Sequence, residues 1–191
     1  MKTTETEILI VPGYKGSPED HWQSRWERSL SAARRVAMGD WHKPVFEDWK
    51  QNLIDAVDAA EKPVVLVGHS IGSQVIVHAA NAFSRPVAGA FLVAPPDVEN
   101  PSIRPRHLLT FGPARTDPLP FPSLTVASRN DEFCSFEVAE RMAADWGSLF
   151  LDAGESGHIN AESGHGPWPE GLMVFSKFMN HLKPPKGQQP T

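Results

Sequence analysis

The stretch "VVLVGHSIGSQVIVHAA", residues 64–80, breaks an apolar run at Gly68, presents His69 and Ser70, takes a second glycine at 72 and turns apolar again. The run "VVLV" reads as a strand buried on both faces of a parallel sheet. The residues after Ser70 read as a helix reaching to about residue 83. Gly68-His69-Ser70-Ile71-Gly72 fits G-x-S-x-G in its proper setting, strand before and helix after. Such a turn is tight enough to strain the serine backbone, and side chains at the two flanking positions would collide, so both are glycine. The turn lifts the hydroxyl to the mouth of a helix, where the N-terminus and the Ile71 amide favour an anion. The competing reading is a plain β-to-α turn with Ser70 as a helix cap.

Outward from this stretch, strand and helix patterns alternate. Residues 7–11, 35–38, 64–67, 88–94, 124–128 and 148–152 read as strands. Trp22, Trp26 and Leu30, and later Trp49, Leu53 and Val57, mark helices by their four-residue steps. Further helices fall at about 136–146 and 170–182. Alternation with near-continuous apolar strands predicts an α/β fold, a mainly parallel sheet covered by helices on both faces. Residues 95–122 hold eight prolines without clean periodicity, which suggests a lid or binding loop. The tail 184–191 is expected to be disordered, leaving one domain over 1–183.

Net charge is −5, with scattered lysines and arginines, against a nucleic-acid or acidic-membrane surface. No apolar run approaches the roughly 20 residues that span a bilayer. The lone Cys134 excludes an internal disulfide framework. With no signal-peptide pattern at the N-terminus, the chain reads as cytoplasmic.

A serine hydroxyl needs a base, and the base an orienting acid. In this fold order the acid and then the histidine follow in loops after later strands. The 124–128 strand leads to Asp131, with Glu132 as runner-up, and the 148–152 strand leads to His158. Asp97 follows an earlier strand and is the alternative acid, whereas Asp117 reads as a turn residue. His165 rivals His158 from farther along. His69 and His78 read as packing histidines, as does Cys134 as a packing thiol. His158, Glu162 and His165 invite a metal reading, but glycine-rich spacing fixes no ligand geometry and no H-E-x-x-H is present. The reading requires no cofactor. A second oxyanion donor is expected from the loop after the first strand, where Gly13 turns the chain and presents the Tyr14 amide.

Together, "VPGYKGSPEDHWQSRWE", "GHSIGS", "SRNDEFCSF" and "GESGHINAESGHGPWPEG" resemble the small serine hydrolases related to retinoblastoma-binding protein 9, particularly bacterial members, over about residues 7–182. The resemblance implies a compact α/β-hydrolase fold of about six strands with no large cap domain. It implies Ser70 as nucleophile, Asp131 as acid and His158 as base. It also assigns Trp22 and Trp168 to family motifs, with Trp168 a candidate for lining the pocket beside His69. The L-x-C-x-E segment for a retinoblastoma-type partner is not carried over, because Glu132 and Phe136 flank Cys134 where Leu and Glu are needed. The expected activity is ester hydrolysis of a small acyl substrate. Its rivals are a small-peptide peptidase and a non-catalytic interaction module on the same scaffold. A homodimer is left open.

Overall fold

A computed structural model describes residues 1–2 and 5–185. Most of the tail expected to be disordered, 186–191, lies outside the described residues. Six strands form one sheet: β1 (Glu7–Val11), β2 (Ala33–Arg35), β3 (Val64–His69), β4 (Val87–Val93), β5 (Ser123–Ala127) and β6 (Leu149–Asp152). Their order is β2-β1-β3-β4-β5-β6, and every neighbouring pair is parallel. The helices are α1 (Trp22–Ser29), α2 (Phe46–Asp58), α3 (Ile71–Ala79), α4 (Phe136–Asp145) and α5 (Pro169–His181).

Alternating side chains divide the core in two, as the period of a strand requires. Leu9, Val11, Leu66 and Leu92 face Trp49, Leu53, Val75 and Met142 from α2, α3 and α4. Ile8, Ile10, Val65, Val67 and Phe91 face Trp22, Trp26, Phe175 and Phe178 from α1 and α5. The central β3 is buried along its whole length, which is why it reads as unbroken apolar sequence. The chain enters α3 directly from β3, so whatever the connecting turn carries is presented at the carboxyl edge of the sheet, where open α/β sheets bind ligands.

Two expectations shift. The second strand lies at Ala33–Arg35 rather than 35–38. One more ladder bond, from the Val36 amide to the Ile10 carbonyl (2.9 Å), comes before the chain leaves the sheet. Val36 and Met38 are apolar because they plug the core from a loop, held where Asn52 Nδ2 donates to the Met38 carbonyl at 3.1 Å. The proline-rich segment 95–122 is a packed strap. It contains a 3-10 turn (Arg106–Phe111) and buries Val98, Ile103, Leu108, Phe111 and Phe121. Its backbone is tied down where Gln74 donates to the Pro96 carbonyl (2.8 Å) and Trp146 to the Arg115 carbonyl (2.8 Å). Among the described residues no helix is long and apolar enough to cross a membrane.

Candidate active site

Ser70 sits at φ 54° and ψ −131°, a conformation an L-residue rarely takes. The surroundings hold it there. Its amide donates to the Val93 carbonyl at 2.9 Å. A Cβ at Gly68 would stand 2.7 Å from Ile76 Cδ1 and 2.9 Å from Ser73 Cα, and one at Gly72 would stand 2.6 Å from the Pro12 carbonyl oxygen. Glycine at both positions lets α3 lie against β1 while the serine side chain points off the sheet edge.

Ser70 Oγ lies 2.9 Å from His158 Nε2, and His158 Nδ1 lies 2.9 Å and 3.0 Å from the two carboxylate oxygens of Asp131. A carboxylate only accepts, so Nδ1 carries the imidazole proton and Nε2 is left to accept from the serine hydroxyl. Ser70 and His158 are each 8% exposed and the Asp131 side chain 2%. Asp131 is further fixed by the Phe133 amide, which donates to Oδ1 at 2.9 Å.

The loop carrying His158 is held by buried donors. His69 Nε2 donates to the His158 carbonyl at 2.9 Å, and Trp22 Nε1 donates to the Ile159 carbonyl at 2.9 Å. Ile159 takes a left-handed φ of 47° between these bonds. Asn130 Oδ1 accepts from the Gly157 amide (2.7 Å), tying the loop after β6 to the loop after β5. Trp22→Phe keeps an aromatic ring beside Trp26 and Trp168 but strands the Ile159 carbonyl. We expect a loss of about 1–2 kcal/mol in urea unfolding; an unchanged midpoint would show that the bond adds nothing.

The loop after β1 reaches the same edge. A Cβ at Gly13 would lie 2.7 Å from Ser70 Cβ. The Lys15 amide is bonded to the Trp41 carbonyl and the Gly16 amide to the Gly13 carbonyl, whereas the Tyr14 amide has no acceptor among the described residues. Ile71 opens α3, where an amide has no carbonyl one turn back within the helix. Gln23 joins the two strand ends. It is fully buried, Nε2 donates to the carbonyls of Val11 (3.3 Å) and Val67 (3.1 Å), and Oε1 accepts from the Ser17 hydroxyl (2.6 Å).

These elements surround a cleft of about 490 Å³. Tyr14 and Lys15 line one side, Arg104, Pro105 and Leu108 of the strap another, and His21, His69 and Ser70 lie among the lining residues with Glu132 and Phe133. Trp168 does not line it, which corrects the expectation. It packs in the core with its ring centroid 5.1 Å from that of Trp22 and 6.1 Å from that of Trp26. His69 lines the cleft and also bonds to the His loop.

The rival residues are engaged elsewhere. Glu132 reaches the cleft without bonding His158. Asp97 caps the Glu99 amide, Asp117 stands 4.0 Å from Arg115, and His165 Nδ1 shares the Ser163 hydroxyl. His78 is not the fully satisfied packing histidine expected, because its Nε2 is buried without a partner. Burial pushes the Cys134 thiol up to about 12, which removes it as a thiolate nucleophile. Among the described residues no three His, Cys, Asp or Glu side chains gather as a metal site would need.

Sequence reasoning missed Gln23, His21 and Asn130. The signal for Gln23 lies in α1, where Gln23 and Ser24 follow Trp22 as uncharged polar residues and the charges fall at Arg25, Glu27 and Arg28. A helix with uncharged polar groups beside its apolar stripe is buried on more than one side.

A serine turn between the third strand of a parallel sheet and the helix behind it, with imidazole and carboxylate drawn from the ends of β6 and β5, is the α/β-hydrolase arrangement, and that is the class of this protein. The sequence profile of the serine hydrolase family matches residues 8–177, and the chain belongs to that family. It is similar to a YdeN-like hydrolase from Pectobacterium atrosepticum at 34% identity, over 93% of this chain and 92% of that one, with a TM-score of 0.82. The ydeN gene product of B. subtilis shares 18% identity over 92% and 99% of the two chains, TM-score 0.73. Est1E from Butyrivibrio proteoclasticus, solved with ferulic acid bound, shares 13% over 92% and 88%, TM-score 0.69. At such identities the last two speak for the fold alone. No curated protein sequence matches the chain.

Proposed function

We propose that the protein hydrolyses carboxylic esters of small acyl substrates through a Ser70–His158–Asp131 triad. The observation that carries this reading is the continuous hydrogen-bonded chain from carboxylate through imidazole to hydroxyl, with links of 2.9 Å on either side of His158. Ser70 Oγ attacks the acyl carbon as its proton passes to His158 Nε2. Asp131 holds Nδ1–H and stabilises the imidazolium. The negative charge moves to the carbonyl oxygen, which accepts hydrogen bonds from the Tyr14 and Ile71 amides. Collapse breaks the ester bond, the alcohol leaves with the proton from Nε2, and the acyl group stays on Oγ. Water, losing a proton to His158, then releases the acid and restores the serine.

The finer kinship we infer, with bacterial relatives of retinoblastoma-binding protein 9, rests on the four sequence blocks that carry Tyr14, Ser70, Asp131 and His158. The single cysteine supports a reducing, cytoplasmic setting. A fluorophosphonate probe tests the chemistry: one phosphonyl group should attach per chain, on the peptide that carries Ser70. Labelling at any other residue, or none in protein that also leaves p-nitrophenyl acetate intact, would end the proposal.

A further inference from the structure

Two imidazoles that the triad does not contain line the cleft beside Ser70. His21 is 3% exposed and His69 5%. Their ring centroids are 4.8 Å apart, edge to face. Each has one nitrogen committed. The Gln23 amide donates to His21 Nδ1 at 3.2 Å as the cap of α1, so the neutral ring carries its proton on Nε2. The His158 carbonyl can only accept, so His69 carries its proton on Nε2 and leaves Nδ1 as a bare lone pair. The second nitrogen of each ring has no protein partner among the described residues, yet neither belongs to the polar atoms sealed from solvent. Both residues line the cleft. Burial, above all, lowers His21 to about 4 and holds His69 well below the usual imidazole range, so both rings are neutral at pH 7.

We propose that the cleft wall beside Ser70 is a recognition site for a neutral substrate group that both accepts and donates a hydrogen bond, a secondary amide or a hydroxyl, with His21 Nε2–H donating to it and His69 Nδ1 accepting from it. This rests on the reading of the cleft as an acyl-transfer site and adds the substrate class. A carboxylate would meet one donor and one repelling lone pair. An alkyl chain would leave two buried polar atoms unsatisfied, which is the basis on which polar pockets reject apolar analogues.

The test uses matched esters in which an amide replaces two methylenes. On the acyl side these are p-nitrophenyl N-acetylglycinate and p-nitrophenyl pentanoate; on the alcohol side, 2-acetamidoethyl acetate and pentyl acetate. In at least one pair the amide member should have a kcat/KM higher by about ten- to a hundredfold. His21→Asn retains a side-chain cap for α1 but withdraws the reach of Nε2, and it should erase that preference, bringing the ratio of the two kcat/KM values in the pair to about one. Parity in both pairs, or a preference that survives His21→Asn, overturns the proposal. A turnover-free reading separates this from failure of the esterase chemistry. In Ser70→Ala protein, N-acetylglycine methyl ester should shift the ring-nitrogen resonances of His21 and His69, and methyl pentanoate should not. Resonances that ignore the amide ester, or follow both alike, also overturn it.

Discussion

Ser70→Ala should lower the turnover of p-nitrophenyl acetate by about four powers of ten or more and abolish fluorophosphonate labelling, while the urea midpoint stays within about 1 kcal/mol of the parent. The size of the fall is set by the groups that remain. The imidazole and carboxylate still pair, but no oxygen stands 2.9 Å from His158 Nε2 to take up the acyl group. Neither Cys134 nor Ser73 can stand in, since Cys134 is buried with its thiol pushed up to about 12 and Ser73 is fully buried. Asp131→Asn should fall almost as far by a different route. An amide at that position lets the imidazole take the wrong tautomer, with Nε2 protonated and unable to accept from the hydroxyl. Full turnover in Ser70→Ala would exclude covalent catalysis at this residue.

Gly72→Ala should destabilise the protein by on the order of 3 kcal/mol and yield little soluble chain. The added methyl would collide with backbone carbonyl oxygens of Val11 and Pro12, 2.6 Å from the latter. No flexible side chain can yield there, so either β1 parts from β3 or the serine turn unwinds. Relaxation at Gly68→Ala is easier in one respect, because one of its close neighbours is the end of the Ile76 side chain. Urea unfolding checks the first variant: a midpoint shift worth less than about 1 kcal/mol would mean that the close approach of α3 to β1 is not required.

How far the sequence carries differs by element, for physical reasons. The β3–turn–α3 unit is legible because a strand buried on both faces, two glycines and a helix leave little alternative. Asp131 and His158 are reachable because loops at the ends of later parallel strands return to the same sheet edge. The second strand reads too late in the chain because Val36 and Met38 carry a strand's apolarity while serving as loop plugs. Trp168 reads as a pocket residue from its nearness in sequence to the His loop, but packing against Trp22 and Trp26 turns it inward. His21 and Gln23 stay hidden because their work is long-range. They bond to, or lie against, groups 40 and more residues away, and α1's tryptophan spacing explains the helix without them.

The strap over 95–122 is stitched to α3 and to Trp146 along its course, and it supplies Arg104, Pro105 and Leu108 to the mouth of the cleft. An aperture fastened in that way is a sieve rather than a door. The outline of Arg104, Pro105 and Leu108 is thereby a fixed part of the cleft wall, alongside Tyr14, His21, His69 and Phe133.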